Sequence, residues 1–248
     1  MSKVLIVTGG SRGIGSAVCR RAAADGWDVA VNYAGNAEAA EKTASAVKAA
    51  GRRAITVQGD MSDEADILRL FETTQSALGS IDAVVCNAGI TGKITRVEDM
   101  TTEAMRAVMN LNVVGLMIAN REAVRRMSTK RGGKGGAIVN LSSIAPRIGS
   151  PNEFVHYAAS KGAVDAWTTG LGREVAGEGI RVNAVAPGMI DTDIHATAGA
   201  PDRAQRLGGT VPIGRSGTAE EVAEAVVWLL SDAARYCVAT VLSVNGGR

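Results

Sequence analysis

VLIVTGGSRGIG, residues 4–15, decides how the rest of the chain is read. Residues 4–7 are a compact apolar run of strand length, and a glycine-rich turn follows at once. An Ala-rich run then extends to about Asp25, where Gly26 supplies a stop signal. Strand, glycine turn and helix, in that order, aim free backbone N–H groups and the positive end of a helix at a phosphate. The glycines fall as GxxxGxG, at Gly9, Gly13 and Gly15, and not as the common GxGxxG fingerprint. A glycine cluster by itself is only a tight turn; its place at the start of a β–α–β pattern points to a nucleotide.

The same alternation continues outward. Further strands are expected at residues 28–33, 53–58, 83–86, 137–141, 181–186 and 240–244. Helices are expected at 38–50, around Ile67, Leu68 and Phe71, at 102–127, through Tyr157 and Lys161, and at 219–230. Seven strands alternating with helices predict an α/β fold in one domain, with a mostly parallel sheet covered on both faces. From residue 189 to about 216 the periodicity fades into Gly, Ala, Thr and Pro, and so long a segment is a candidate substrate lid.

Composition narrows the function. The 248 residues are 46% hydrophobic, enough for a sizeable core, and the net charge of +2 has both signs interspersed. That balance gives no signature of nucleic-acid or membrane binding. Cys19, Cys86 and Cys237 form no metal spacing, and their odd number argues against a disulfide framework. They read as buried free thiols in a reducing compartment, with no metal site. No run approaches the roughly 18 apolar residues of a membrane helix, and the start shows no signal-peptide profile. A soluble cytoplasmic protein is expected.

The chemistry is expected in residues 140–161, NLSSIAPRIGSPNEFVHYAASK. The strand at 137–141 ends in Ser142-Ser143, and Tyr157 and Lys161 share one helix face at i, i+4 spacing. A phenol of pKa about 10 is a poor proton donor and base near neutrality. A cation about 4 Å away, at an effective dielectric near 20, favours the phenolate by roughly 4 kcal/mol, an upper figure because desolvation opposes it. An isolated Tyr-x-x-x-Lys is usually an ordinary surface pair, so its company decides. Asn112 lies within an apolar helical pattern and reads as a kink-former or a polar relay, since a buried amide needs partners. His156 points about 100° around the helix from Tyr157 and reads as a surface or packing residue. His195 in the lid, with Arg147 and Phe154 before Tyr157, are candidates for lining a substrate pocket.

At the nucleotide end, Asp28 begins the second strand and does not sit at its tip. The tip is Tyr33, followed by Ala34, Gly35 and Asn36, with no carboxylate to repel a 2′-phosphate. Arg12 in the glycine turn would offer that phosphate a positive charge, so NADP(H) is favoured over NAD(H). Asp60 and Met61 lie beyond the third strand, where an adenine edge would be met, although Asp60 would equally cap the next helix. Asn87, Ala88 and Gly89 are small enough to let the backbone approach a ligand.

TGGSRGIG, Asn87-Ala88-Gly89, Asn112, Ser143, YAASK at residues 157–161 and Pro187-Gly188 occur in a known order along essentially the whole chain. Together they resemble the short-chain dehydrogenase/reductase family, in its short single-domain branch. The resemblance implies a Rossmann-like, doubly wound fold in which a nicotinamide nucleotide exchanges hydride with a carbonyl or secondary alcohol. It implies that Tyr157 is the acid in reduction and the base in oxidation. Lys161 would lower the Tyr157 pKa and hold the nicotinamide ribose, Ser143 would bond the substrate oxygen, and Asn112 would anchor a proton-carrying water. Thr192 would bond the nicotinamide amide. Nucleotide contacts are expected along Gly9, Ser11, Arg12, Gly13, Ile14 and Gly15, at Tyr33, Asn36, Asp60 and Met61, at residues 87–89, and at Pro187, Gly188 and Ile190. A homotetramer is implied as well, the helix at 102–127 serving as core or interface.

Three departures from the family pattern carry expectations of their own. Ser143 lies fourteen residues before Tyr157, one more than is commonest, so the loop at 144–156 should bulge. Ser142 is a rival, but strand alternation turns it the other way. The tip of strand two lacks both the acid of NAD users and the arginine common in NADP users. The region 236–239 lacks a glycine that often precedes the last strand. Two other functions stand beside the carbonyl reductase. One is a 3-oxoacyl-[acyl-carrier-protein] reductase, whose basic run at 125–134 with Arg173 would dock an acidic acyl carrier protein. The other is a non-catalytic nucleotide-binding sensor.

Overall fold

The computed structural model describes residues 2–248. The first half runs β1 (Lys3–Thr8), α1 (Gly13–Ala24), β2 (Trp27–Tyr33), α2 (Ala37–Ala49), β3 (Ala54–Gln58), α3 (Glu64–Leu78), β4 (Ala83–Cys86), α4 (Thr102–Met109) and α5 (Leu116–Met127). It continues through β5 (Gly136–Leu141), α6 (Ala145–Ile148), α7 (Val155–Val175), β6 (Ile180–Pro187), α8 (Ile194–Thr197), α9 (Arg203–Gly208), α10 (Ala219–Leu230) and β7 (Val241–Val244). The sheet has seven strands in the order β3-β2-β1-β4-β5-β6-β7, and every neighbouring pair is parallel. The order reverses direction between β1 and β4, so the carboxyl ends of those two strands open the crevice where such sheets bind ligands.

Both sheet faces are dry, which is why the strands read as unbroken apolar runs. On one face Leu5, Val29 and Val139 pack under α1, α2 and α10 through Val18, Val47 and Val226. On the other, Ile6, Val84 and Ile138 pack under α3, α5 and α7 through Phe71, Ala123 and Val164. A reciprocal amide pair pins this second layer. Asn120 and Asn140 each donate to the other at 3.0 Å, Asn140 also donates to Thr168 at 3.0 Å, and Trp167 Nε1 donates to Asn120 at 3.1 Å. A buried network with its donors used fixes how α7 sits on β5, and so where the face bearing Tyr157 lies.

The helix expected at 102–127 is continuous but not uniform. Residues Asn110–Gly115 widen into a π turn. Gly115 is pressed on the chain at Met61, where an added Cβ would stand 1.8 Å from the Met61 carbonyl oxygen. Met61 itself is buried in the second core, and Asp60 accepts from the Ser62 N–H and hydroxyl at 2.8 Å while Asp63 caps α3. The helix-capping alternative for Asp60 is thereby corrected by three residues.

Other expectations change in detail. Arg125 and Arg126 belong to the last turn of α5 and pair with Glu122, and Lys130 pairs with Glu178, so much of the basic run is not a free solvated loop. Cys237 is half-buried, unlike Cys19 and Cys86. Where a glycine is missing before β7, Ala239 takes the left-handed conformation (φ 58°). A Cβ on Gly172 would stand 2.9 Å from the Ala239 Cα, so α7 and this turn touch backbone to backbone. Among the described residues no helix is long and apolar enough to cross a membrane.

Candidate active site

The glycine turn is held open by polar residues from three strands. Gly9 and Gly13 have φ of 61° and 50°, and a Cβ on Gly15 would stand 2.3 Å from the Gly9 oxygen and 2.6 Å from Asn87 Nδ2. These glycines are therefore required by the turn itself. Asn32 accepts the Gly9 N–H at 3.0 Å and donates to Gly59 O at 3.1 Å, tying β2 to β3 beneath the turn. Thr8 Oγ1 accepts from Asn87 and Ala88 N–H at 2.9 and 3.0 Å, and Asn87 Nδ2 donates back to Thr8 O at 2.9 Å. Ser11 contributes a carbonyl that accepts from Thr43 at 3.2 Å. Thr8 and Asn32 were not singled out in the sequence, where the signal is a polar residue inside an apolar strand.

The N-terminus of α1 has no side-chain cap, so its first N–H groups are not taken up by a capping side chain. A Cβ on Gly13 would meet only Thr192, at 3.5 Å, which leaves the turn open toward the lid. Uncapped donors, a positive helix end and the switch point fit a dinucleotide diphosphate. Arg12 lies in the glycine turn just before α1. Its exposed guanidinium is drawn to Asp193, 3.6 Å away, at the lid. At that tip Tyr33 is half-buried, and Asn36 caps α2 by accepting the Ala39 N–H at 2.9 Å.

Three consecutive residues at the end of β5 meet three residues of α7. Leu141 O accepts from Lys161 Nζ at 2.6 Å, Ser142 Oγ donates to the Asp165 carboxylate, and Ser143, whose Oγ accepts the Ala145 N–H at 3.1 Å, lines the same cleft as Tyr157. Both serines line the cleft, but the Ser142 hydroxyl is taken up by Asp165, whereas Ser143 has no such carboxylate partner. The extra residue between Ser143 and Tyr157 is absorbed by the short helix α6 and a turn in which Ser150 (φ 46°) and Asn152 (φ 63°) are left-handed. Burial pushes the Tyr157 phenol up from its ordinary pKa, with the Ser143 hydroxyl pulling it back. Lys161 is 4% exposed, and burial brings it down to about 8 against the opposing pull of Asp165. Its ammonium stands 5.7 Å from the centre of the Tyr157 ring. Burial sets the direction of the Tyr157 shift, and Lys161 is not among the groups acting on the phenol in this structure.

Asn112 has the partners a buried amide needs. It sits in the π turn, fully buried, accepting the Ile90 N–H at 2.9 Å and donating to Ile90 O at 2.8 Å and Ser160 Oγ at 3.1 Å. Ser160 in turn donates to Tyr157 O at 2.7 Å. A Cβ on Gly89 would stand 3.1 Å from Asn112 Oδ1, so Gly89 is what lets the amide come this close.

These groups open onto a cleft of about 980 Å³, its mouth included. Of the residues anticipated from sequence, Ile14, Asn87, Gly89, Ser143, Phe154, Tyr157, Lys161, Pro187, Gly188, Ile190, Thr192 and His195 line it. Leu141, Ile144, Ala145, Ile148, Met189 and Ile194 add an apolar wall. Gly9, Ser11, Arg12, Gly13, Gly15, Tyr33, Asn36, Asp60, Met61, Ala88 and Asn112 lie outside this lining. Arg147 is corrected: it is exposed, outside the lining, and its charge acts on Asp165. His156 packs on Gly92, where a Cβ would stand 2.6 Å from Nε2, and burial lowers its pKa. His195 Nε2 lies 2.9 Å from Ile190 O, and burial lowers its pKa as well.

Arg203 and Arg248 also line the cleft and were not foreseen. Arg203, from α9, is 7% exposed, donates to both oxygens of Glu153 at 2.6 and 2.5 Å, and lies 5.4 Å from the Phe154 ring centre. The segment 189–216 is thus clasped to the lengthened loop before Tyr157. No sequence pattern marks a pair fifty residues apart. Among the described residues, no group of three or more His, Cys, Asp or Glu is arranged to hold a metal ion.

A nucleotide crevice joined to a Ser–Tyr–Lys wall defines an NAD(P)-dependent oxidoreductase of alcohols and carbonyls, and known proteins agree. A family described as "Enoyl-(Acyl carrier protein) reductase" matches residues 9–248. The chain is 48% identical over 245 residues to "Uncharacterized oxidoreductase YgfF" of Escherichia coli, covering 99% of each chain. It is 36% identical over 247 residues to the 3-oxoacyl-[acyl-carrier-protein] reductase FabG of Staphylococcus aureus, covering 100% of this chain and 98% of that one. A short chain dehydrogenase from Burkholderia cenocepacia, solved in complex with NADP, superposes with a TM-score of 0.91 at 35% identity over 99% of this chain and 97% of that one. The chain belongs to the short-chain dehydrogenase/reductase family.

Proposed function

We propose that the chain is an NADP(H)-dependent reductase of ketones and dehydrogenase of secondary alcohols, acting through Ser143, Tyr157 and Lys161. The observation that carries this reading is that the Ser143 hydroxyl, the Tyr157 phenol and the Lys161 ammonium share one cleft with Gly188 and Thr192. In reduction, Ser143 and Tyr157 hold the substrate oxygen, and Tyr157 passes its proton to that oxygen as negative charge develops. In oxidation Tyr157 takes the proton back. Lys161 holds the nicotinamide ribose hydroxyls and keeps a positive charge behind the phenol. Asn112, through Ile90 and Ser160, fixes the backbone around Tyr157 and is the proposed anchor for a proton-carrying water. Thr192 orients the nicotinamide amide. The bound nicotinamide supplies or accepts the hydride.

The apolar wall favours a substrate with a compact apolar body around its carbonyl. Residues 189–216 act as the lid of a single catalytic domain, with Arg203 as its clasp. NADP(H) is preferred because no carboxylate follows β2 to repel a 2′-phosphate, and the Burkholderia relative was solved with NADP. A homotetramer is proposed through the exposed apolar residues of the 102–127 helix, Met105, Met109 and Val114. A cytoplasmic location is proposed with it. The direct test is NADPH consumption across a panel of ketones, sugars and acyl thioesters, repeated with NADH. Turnover of at least one ketone with NADPH preferred is expected. Silence throughout would favour a nucleotide sensor.

A second reading, reduction of acyl-carrier-protein thioesters, is supported by the Staphylococcus relative. Against it, Arg125, Arg126 and Lys130 are already in ion pairs, which leaves Arg131, Lys134 and Arg173 to meet an acidic carrier. Binding of an acyl carrier protein at low salt that vanishes at high salt would favour it.

A further inference from the structure

Asp165 is a titratable group beside the proposed chemistry to which the reading above gives no role. It lies one helical turn beyond Lys161, so Tyr157, Lys161 and Asp165 form a stripe at i, i+4 and i+8 along α7. The stripe is matched rung for rung by the end of β5. Leu141 O accepts from Lys161 at 2.6 Å, Ser142 Oγ donates to Asp165, and Ser143 shares the cleft with Tyr157. Ser142 is 4% exposed at the cleft wall, and its hydroxyl donates to that carboxylate.

We propose that Asp165, anchored by Ser142, is a positioning residue that supplies the counter-charge holding the Lys161 ammonium behind Tyr157. The inference rests on the Ser–Tyr–Lys reading above and extends it by one charged group. Lys161 is buried, and a buried ammonium with no opposing charge sheds its proton. Its hydrogen bond to Leu141 O offers a dipole but no charge. Facing Lys161 are Tyr157 and Asp165 on its own helix and the Cys86 thiol on β4, which burial pushes up to about 12 and so keeps neutral. Facing Asp165 are Ser142 at the end of β5 and the Arg147 charge from α6. Arg147 also acts on Asp165, from an exposed position where solvent screens its charge.

The test is the pH dependence of kcat/KM for ketone reduction in Asp165→Asn and Ser142→Ala, with NADPH binding by fluorescence as the check on folding. Asp165→Asn is expected to move the alkaline limb down by about one pH unit, a roughly tenfold loss above the limb with near-normal rates below it. Asp165→Glu is expected to restore the limb. Ser142→Ala keeps the charge but frees it, so a smaller shift in the same direction is expected. Should Asp165→Asn fail to bind NADPH, the Ser142→Ala limb decides. An unshifted limb, or a uniform loss at every pH, would overturn the proposal. Failure of the underlying reading is distinct, since Tyr157→Phe would then keep turning over.

Discussion

The Lys161 ammonium stands 5.7 Å from the centre of the Tyr157 ring while donating to Leu141 O at 2.6 Å. The cation is thus set behind the phenol by the strand, and its own protonation becomes the limiting titration. Burial brings Lys161 from 10.5 down to about 8, so the charged form is present below that value and lost as pH rises through it. For ketone reduction kcat/KM is expected to hold through neutrality and fall above about pH 8. A profile flat to about pH 10 would contradict this.

Glu153 and Arg203 clasp the lid to the loop before Tyr157, with the arginine side chain 9% exposed. Glu153→Gln leaves that guanidinium without its counter-charge, and a cost of about 1–3 kcal/mol falls on lid closure. KM for ketone is expected to rise several-fold, with faster proteolytic cleavage within residues 189–216. Unchanged KM and cleavage would show that the clasp does not govern the lid.

Gly115 carries the π turn against Met61. A methyl group there would overlap the Met61 carbonyl oxygen at 1.8 Å, so Gly115→Ala forces the helix off the chain beyond β3. The expected loss is about 3 kcal/mol or more, read as a lowered denaturation midpoint. A neutral substitution would mean that the π turn can relax into a regular helix.

Asp28 tests a structural carboxylate far from the chemistry. Burial raises its pKa, but the Ser2 hydroxyl, the Arg53 N–H and the guanidiniums of Arg53 and Arg52 outweigh burial and hold it at about 2. Its folded value lies below its unfolded value of 3.8, so its contribution is complete above about pH 4 and is lost as pH falls toward 2. Asp28→Asn is expected to cost about 2–3 kcal/mol at neutral pH and progressively less in acid. The check is urea unfolding of both proteins across that window.

Legibility in the sequence followed the range of the interactions. The strand Ala83–Cys86 and the helix Ala219–Leu230 are found where local signals put them, the first an apolar run ended by Asn-Ala-Gly, the second opened by the Thr218–Glu221 capping box. Tyr157 and Lys161 were legible as neighbours because four residues of helix fix their relation. The π turn was not, because it depends on contact between Gly115 and Met61. Arg203 on Glu153 and Arg12 on Asp193 were hidden for the same reason, being ion pairs between distant segments. The direction of the Tyr157 shift also escaped, since charge spacing is written in sequence whereas depth of burial is a property of the folded cleft.

The most direct measurement is steady-state turnover and NADPH affinity of Tyr157→Phe on any ketone the enzyme accepts. Removing one hydroxyl should leave nucleotide affinity within about threefold and cut kcat by at least a hundredfold, on the order of what a lost general acid costs. Turnover at the parent rate with nucleotide still bound would contradict proton transfer by Tyr157.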